Sequence, residues 1–311
     1  MPSVLRCGDA MRIAFTSDVH IDHHATNQLV WQEMIALLKD LAPDVFICGG
    51  DVAAEETQFG LAMMALEQVA CPKLFVPGNH DVWVQKAGWV KRGVTSQRKY
   101  EQLLPALCRA AGVHPLWIEP YVLGQVAFCG SLGWYDYSLR NEALDAQLSA
   151  ADYRRKTFQD RVWNDGRFAY WLTPATPAGT RQRLSDEAVT MHMVQTLSQQ
   201  LQAVQTQVTH IVGVTHMLPF RSMMRYQHDV RADYFGAFMG SVRLGAVLQA
   251  CPKVSLVLAG HTHRQVTVQV GQVTALTSPV GYARQWADAT PLAVAQASLR
   301  VIDFPMKERG L

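Results

Sequence analysis

Nine polar residues stand where this chain leaves a short apolar run. Asp18 and His20 follow Arg12 to Thr16, and Asp51 follows Val45 to Cys48 across Gly49 and Gly50. Asn79, His80 and Asp81 follow Leu74 to Val76, His216 follows His210 to Val214, and His261 and His263 follow Val254 to Ala259. If the runs are strands, their carboxyl ends meet at the edge where α/β sheets bind ligands. Residues i and i+2 of an extended chain face the same side, so Asp18 with His20, and His261 with His263, each converge on one point. A lone His after a strand is ordinarily a satisfied polar residue, but such residues close five separate runs, which makes coincidence the costlier reading. Even leaving His80 and Asp81 aside, four imidazoles, two carboxylates and an amide oxygen exceed what one metal ion takes and suit two. Paired ions bridged by a carboxylate and a hydroxide serve in-line displacement at phosphorus, and Asp51 on its Gly turn is the natural bridge. With no cysteine nearby, this N/O donor set points to manganese, iron, zinc or nickel rather than to magnesium alone. His80 titrates near neutral pH, and Asp81 is an anion that could orient its imidazole.

The elements that must position these residues can be read from periodicity. The first three runs are separated by a helix from Thr26, as cap, to Leu41 and by a helix from about Thr57 to Val69. Leu29, Val30, Ile35, Leu37, Leu38 and Leu41 form the inner face of the first helix. This β-α-β-α-β order with short links predicts right-handed crossovers and a parallel sheet. His23 and His24 read as a solvated loop. Trp83, Trp89, Lys91 and Arg92 form an aromatic and basic stretch, followed by a helix from about Ser96 to Ala111 whose charges read as a solvated face. Strands are expected at Leu116 to Ile118 and Val126 to Gly130, with helices at Ser185 to Val204 and about Gly240 to Ala250. The tail, Gln265 to Val270, Val273 to Leu276 and Ser298 to Asp303, reads as hairpins in a second sheet. Residues 136–184 lack a clean strand period and mix Arg154, Arg155, Lys156, Arg161 and Arg167 with Trp163, Tyr170 and Trp171. They read as an insertion, either a cap over the strand ends or a peripheral excursion, within a single domain covering 1–311.

Composition excludes several classes. With 311 residues, 17% of them charged and 49% hydrophobic, the chain can bury a sizeable core. A formal net charge of +2 gives no general pull toward nucleic acid or a membrane surface. Met1 to Met11 does not read as a signal peptide, and no apolar run is long enough to span a bilayer. Cys7, Cys48, Cys71, Cys108, Cys129 and Cys251 lack a CxxC pair and read as reduced thiols, so a cytoplasmic location is expected.

The ordered set Asp18-x-His20, Gly50-Asp51, Gly78-Asn79-His80-Asp81, His216 and Gly260-His261-x-His263 resembles the calcineurin-like metallophosphoesterases over residues 12 to 264. The resemblance implies an α/β (α+β) fold, a β-sandwich flanked by helices with a dinuclear metal site at its edge. It also implies Asp18, His20, Asp51 and His263 around one metal, and Asp51, Asn79, His216 and His261 around the other. His80, held by Asp81, would face the substrate and protonate the leaving oxygen while a metal-bridging hydroxide attacks. Thr262 would only shape the turn. The family spans phosphodiesterases, phosphomonoesterases, nucleotide pyrophosphatases and nucleases, so a substrate does not follow from it. Trp134, Tyr135 and the Arg154 to Arg167 region could stack a base and pair a phosphate, which favours a small or nucleotide-like phosphodiester. A phosphomonoesterase and a scaffold that has lost its chemistry are the alternatives. Oligomeric state does not follow from the sequence.

Overall fold

The computed structural model describes residues 10–85, 90, 93–173 and 179–305. Cys7, Trp89, Lys91 and Arg92 lie outside them. Strands β1 (Ala10–Thr16), β2 (Val45–Cys48), β3 (Lys73–Phe75) and β4 (His114–Pro115) run parallel in one sheet. The second sheet holds β5 (Tyr121–Leu123), β6 (Val126–Ser131), β9 (His210–Thr215), β10 (Val254–Ala259), β11 (Val266–Val270) and β12 (Val273–Thr277) in the order β11-β12-β10-β9-β6-β5. Its four inner strands are parallel, and β11 and β5 pair antiparallel at the two edges.

Alternating side chains build two cores. Ile13, Phe15, Ile47, Leu74, Phe128, Val214 and Leu258 meet between the sheets. Their neighbours Ala14, Phe46, Cys48, Phe75, Cys129 and Val257 pack outward beneath helices. Both faces of each sheet are therefore buried, which is why the strands read as unbroken apolar runs instead of alternating ones. Each large side chain so buried stabilises the fold by about 1.5–3 kcal/mol. The helices over the sheets are α1 (Ala25–Leu41), α2 (Glu56–Ala65), α3 (Leu104–Ala110), α4 (Asp186–Val204), α5 (Val242–Ala250) and α6 (Pro291–Ser298).

Several expectations shift once packing is seen. Helix α1 is capped by His24, whose ring nitrogen accepts from the Thr26 amide, so the cap is not Thr26. The buried face of α1 is Val30, Trp31, Met34, Ile35 and Leu38, while Leu29 is 49% exposed. The second helix stops at Ala65 and tightens into a 3-10 turn, Leu66–Gln68. The stretch from Ser96 is helical but broken by a π turn at Lys99–Leu103. Lys99 there belongs to no solvated face: it is 1% exposed. Strand β4 comes earlier than Leu116, because Leu116 itself drops between the sheets. The last strand, β13 (Arg300–Pro305), does not join the second sheet but pairs antiparallel with β1, Ile13 opposite Ile302. Alternation marks a strand without saying which edge will take it.

The described part of the insertion contains a short helix at Ala150–Arg154, a hairpin of β7 (Thr157–Phe158) and β8 (Arg161–Val162), and one helical turn, Asp165–Phe168. Asp186 ties it down, accepting from Trp134 Nε1, Tyr137 Oη and Lys156 Nζ at 2.8, 2.5 and 2.7 Å. The five described cysteines are buried free thiols. Among the described residues no helix is long and apolar enough to cross a membrane.

Candidate metal centre and active-site cavity

The carboxyl ends of β1, β2 and β3 from one sheet and of β9 and β10 from the other meet at one end of the sandwich. Backbone bonds join the loops: Asp18 N donates to Gly50 O at 2.8 Å, His20 N to Asp51 O at 2.9 Å, and Gly260 N to His216 O at 2.9 Å. Two glycines permit this closeness. A Cβ on Gly78 would lie 2.0 Å from Asp51 Oδ1, and one on Gly50, at φ +95°, would lie 2.5 Å from Gly78 N. Asp18, His20, Asp51, His261 and His263 all take left-handed backbone, with φ between 48° and 74°. Such a conformation costs a non-glycine residue roughly 1–2 kcal/mol, and it gathers where surrounding structure over-determines it.

The side chains converge as donors. The donor atoms of Asp18, His20 and His263 lie within 4.8 Å of one another, as do those of Asp51, His216 and His261, and those of His20, Asp51 and His80. Asp51 Oδ2 lies 3.7 Å from His20 Nε2, 3.5 Å from His216 Nε2 and 3.9 Å from His80 Nε2, which puts it between the two groups. His20 Nε2 faces His263 Nε2 at 2.9 Å, and Asn79 Oδ1 faces His216 Nε2 at 3.2 Å. His216 Nδ1 is 2.8 Å from the Gly49 carbonyl and donates to it, which turns Nε2 inward toward Asp51 and Asn79.

This donor set fits a pair of cations. Both ring nitrogens of His261 are buried with no hydrogen-bond partner among the described residues, an orphaned pair that burial ordinarily forbids. Burial and the neighbouring His216 push the His261 imidazole down to about 3, so the ring stays neutral and one of its nitrogens keeps a free lone pair. Burial opposes a proton on His216 too, but Asp51 overrides it and lifts that imidazole to about 10. Burial also works against the Asp18 anion, yet His263 and His216 hold its carboxyl at about 2. The carboxylates thus draw positive charge to this point, and a cation can replace the proton.

Residues 11–265 match the family of calcineurin-like phosphoesterases. The chain belongs to this family. It is therefore a phosphoester hydrolase of a group that works with two metal ions. Among solved structures, a phosphopantetheinyl hydrolase from Mycobacterium tuberculosis is 20% identical, covers 95% of this chain and 96% of its own, and superposes with a TM-score of 0.70. That likeness shows a shared fold. A putative 5'-nucleotidase from Staphylococcus aureus is 14% identical over 96% of this chain and 55% of its own, at a TM-score of 0.45. No curated protein sequence matches the chain significantly.

Around this candidate centre, the residues that hold the donors differ from those expected. Asp81 does not grip the His80 ring. Its carboxylate accepts four backbone N–H bonds, from Gly78 and Asp51 at 2.7 and 2.8 Å and from Val52 and Ala53 at 2.8 and 2.9 Å. It therefore folds the loop that presents Asp51. His80 instead stacks on Trp83, ring centroids 3.6 Å apart. Burial lowers the His80 imidazole against the pull of Asp51.

Two positioning residues escaped sequence reasoning. Asp165, fully buried and drawn from the insertion, accepts from Asn79 Nδ2 at 2.9 Å, Trp83 Nε1 at 2.6 Å and Trp163 Nε1 at 2.7 Å. It fixes which way the Asn79 amide points and holds the indole on which His80 rests. In sequence it sits inside Asn164-Asp165-Gly166, which reads as a turn and carries no sign of this role. Lys99 donates to Ala54 O and Trp83 O at 2.8 and 2.9 Å, bracing the same loop and the same Trp. A buried lysine in a helix of ordinary composition has no sequence signature either.

The centre opens into a cavity of about 740 Å³. Asp51, Asn79, His80 and His261 form its floor, and Trp83, Trp163, Phe235 and Tyr282 its aromatic walls. Arg161, Arg167 and Arg284 line it at exposed positions near the rim. Residues 160–164 and Arg167 of the insertion lie over the strand ends in this way. Trp134 and Tyr135 do not: both are fully buried, stacked on each other in the core, and out of reach of any base. Arg154 and Arg155 are likewise spent on ion pairs with Glu187 and Asp152.

Proposed function

We propose that this phosphoester hydrolase is a phosphodiesterase acting on a small, extended substrate, with Asp18, His20, Asp51 and His263 holding one ion and Asp51, Asn79, His216 and His261 the other. Manganese or iron suits this imidazole and carboxylate set, and zinc and nickel are the alternatives. Bound ions would lower the pKa of a water and withdraw charge from the phosphoryl oxygens. The chain's own residues do the rest. Asp51, shared by both groups, sets their separation. Asn79, held by Asp165, offers a neutral oxygen that adds no further negative charge against an anionic substrate. His80 stands at the cavity floor as the proton donor for the leaving oxygen, and the nearby anionic phosphoester favours its imidazolium despite burial.

One observation carries the preference for a diester. The cations lining the cavity, Arg161, Arg167 and Arg284, are exposed at the rim, while the walls next to the floor are aromatic and apolar. A diester monoanion with two organic arms suits such walls, whereas a monoester dianion calls for a cation beside the floor. Phosphopantetheinyl esters are among the natural substrates to test, since one solved structure that matches end to end is a phosphopantetheinyl hydrolase. The deciding experiment strips the protein of metal, reloads it with manganese and compares bis-nitrophenyl phosphate with nitrophenyl phosphate. Diester preference is expected. Monoester preference would overturn the reading and make Arg161 and Arg167 a dianion clamp, and inactivity on both with two ions bound would favour a silent scaffold.

A further inference from the structure

The cavity does not end at its apolar wall. Phe235, Met239 and Thr262 also line a second compartment of about 450 Å³, whose remaining walls include Met223, Met224, Arg225 and Arg264. The two spaces therefore share a partition, and the partition begins at Thr262, between the metal-site residues His261 and His263. The Thr262 hydroxyl is buried and finds no partner among the described residues. Methionine walls adapt to unbranched, irregular chains better than branched residues do.

The lining of this compartment is cationic and unbalanced. Arg264 uses one N–H on the Met223 carbonyl at 2.9 Å, and its guanidinium forms no ion pair among the described residues. Arg225 is exposed and has neither a hydrogen bond nor an ion pair among them. Arg225 and Arg264 both line this one compartment, together with Met223 and Met224. Two guanidiniums lining one compartment, with no acid among its described lining residues, form a site that an anion would complete.

We propose that this second compartment binds one arm of an elongated phosphoester whose far end carries a phosphate or carboxylate, clasped by Arg225 and Arg264 while the reacting phosphorus sits at the metal centre. This inference rests on the phosphoesterase reading of the centre and adds a substrate class to it: an extended, largely apolar arm with an anion at its end.

The test uses the manganese-loaded full chain and nitrophenyl alkyl phosphodiesters with short, medium and long arms, each ending either in carboxylate or in methyl. A charge-assisted bond contributes about 1.5–3 kcal/mol, so at one arm length kcat/KM for the carboxylate form should exceed that of the methyl form by about ten-fold or more. Arg225→Glu should abolish that ratio, and Arg225→Gln should reduce it. Arg225 is exposed, so neither change threatens the fold. Titration calorimetry with the matching phosphonates reads the same preference without turnover. If the diesters are cleaved but neither charge nor arm length matters, the compartment proposal falls and the hydrolase reading stands. Equal ratios in Arg225→Glu and the unchanged protein would likewise overturn it. If no diester is cleaved yet the carboxylate phosphonate binds best and Arg225→Glu removes that preference, the compartment stands and the diesterase reading fails.

Discussion

The floor of the cavity and the wall laid over it are built on opposite terms. The floor and the donors around it issue from strand ends, are mostly buried, and include five residues in left-handed backbone, Asp18, His20, Asp51, His261 and His263. The wall contributed by residues 160–167 comes from a two-residue-strand hairpin and one helical turn, with exposed arginines and the half-buried Trp163. Nothing in the floor can move without disturbing a neighbour that touches a donor: a single Cβ on Gly78 would strike Asp51. The rim of the wall can exchange side chains at little cost to the fold. On the function proposed above, chemistry is fixed by the sandwich and substrate choice by what overlies it, so mutations should have effects that fall steeply from floor to rim.

The steepest test is Asp51→Asn, which removes the carboxylate placed between both donor groups. Elemental analysis should show metal lost from both positions, and activity should fall by more than the ~10²–10⁴-fold that a general acid alone contributes. Full occupancy by two ions would break the view that one carboxylate serves both. His80→Ala should follow within that range on alkyl diesters, yet cost far less on nitrophenyl diesters, whose leaving group needs no proton, while metal content stays unchanged. Equal losses on both substrates would remove His80 from the acid role.

Asp165 is where the comparison is sharpest, since it belongs to the wall by sequence and to the floor by contact. Asp165→Asn keeps the shape but weakens the acceptor for three N–H donors. Outer-shell partners of metal ligands typically cost ~10–100-fold in metal affinity or activity when replaced, and that loss is expected here. Metal titration should show the weaker binding at the position of Asn79 and His216, leaving that of His20 and His263 near normal. Uniform weakening at both positions would mean that Asp165 merely stabilises the insertion.

The sequence made the floor legible because its signal is redundant. Five apolar runs, each ending in Asp, Asn or His, identify strand ends and donors together, and Val45–Cys48 and Val254–Ala259 are strands at the bounds expected. What stayed illegible depends on contacts distant along the chain. The anion Asp81 beside His80 looks like its orienter, but four loop amides claim it first. Trp134 and Tyr135 look like a stacking platform until packing buries them against Trp171 and Phe238. Lys99 looks solvated until two carbonyls 45 and 16 residues away are seen to need it. Composition reports that such residues are present and says nothing of what they face.

The gentlest test separates two kinds of arginine that the insertion's composition makes look alike. Arg167 lines the cavity, and no ion pair holds it among the described residues, so it is free to meet a substrate anion. Arg154 is paired with Glu187 at 2.7 Å, on side chains 57% and 32% exposed. A solvent-screened contact of Arg167 with substrate is worth about 0.2–1 kcal/mol. Arg167→Gln should therefore raise KM by up to about five-fold with kcat nearly constant, because a rim contact is made equally in the ground state and the transition state. Arg154→Ala should leave KM within about two-fold and lower stability by no more than about 1 kcal/mol, since it breaks only an exposed pair. Steady-state kinetics on one diester and a urea melt of each variant decide it. A larger KM effect from Arg154 than from Arg167 would mean that the substrate reaches across the outer face of the insertion, and the division between a chemical floor and a selective rim would have to be redrawn there.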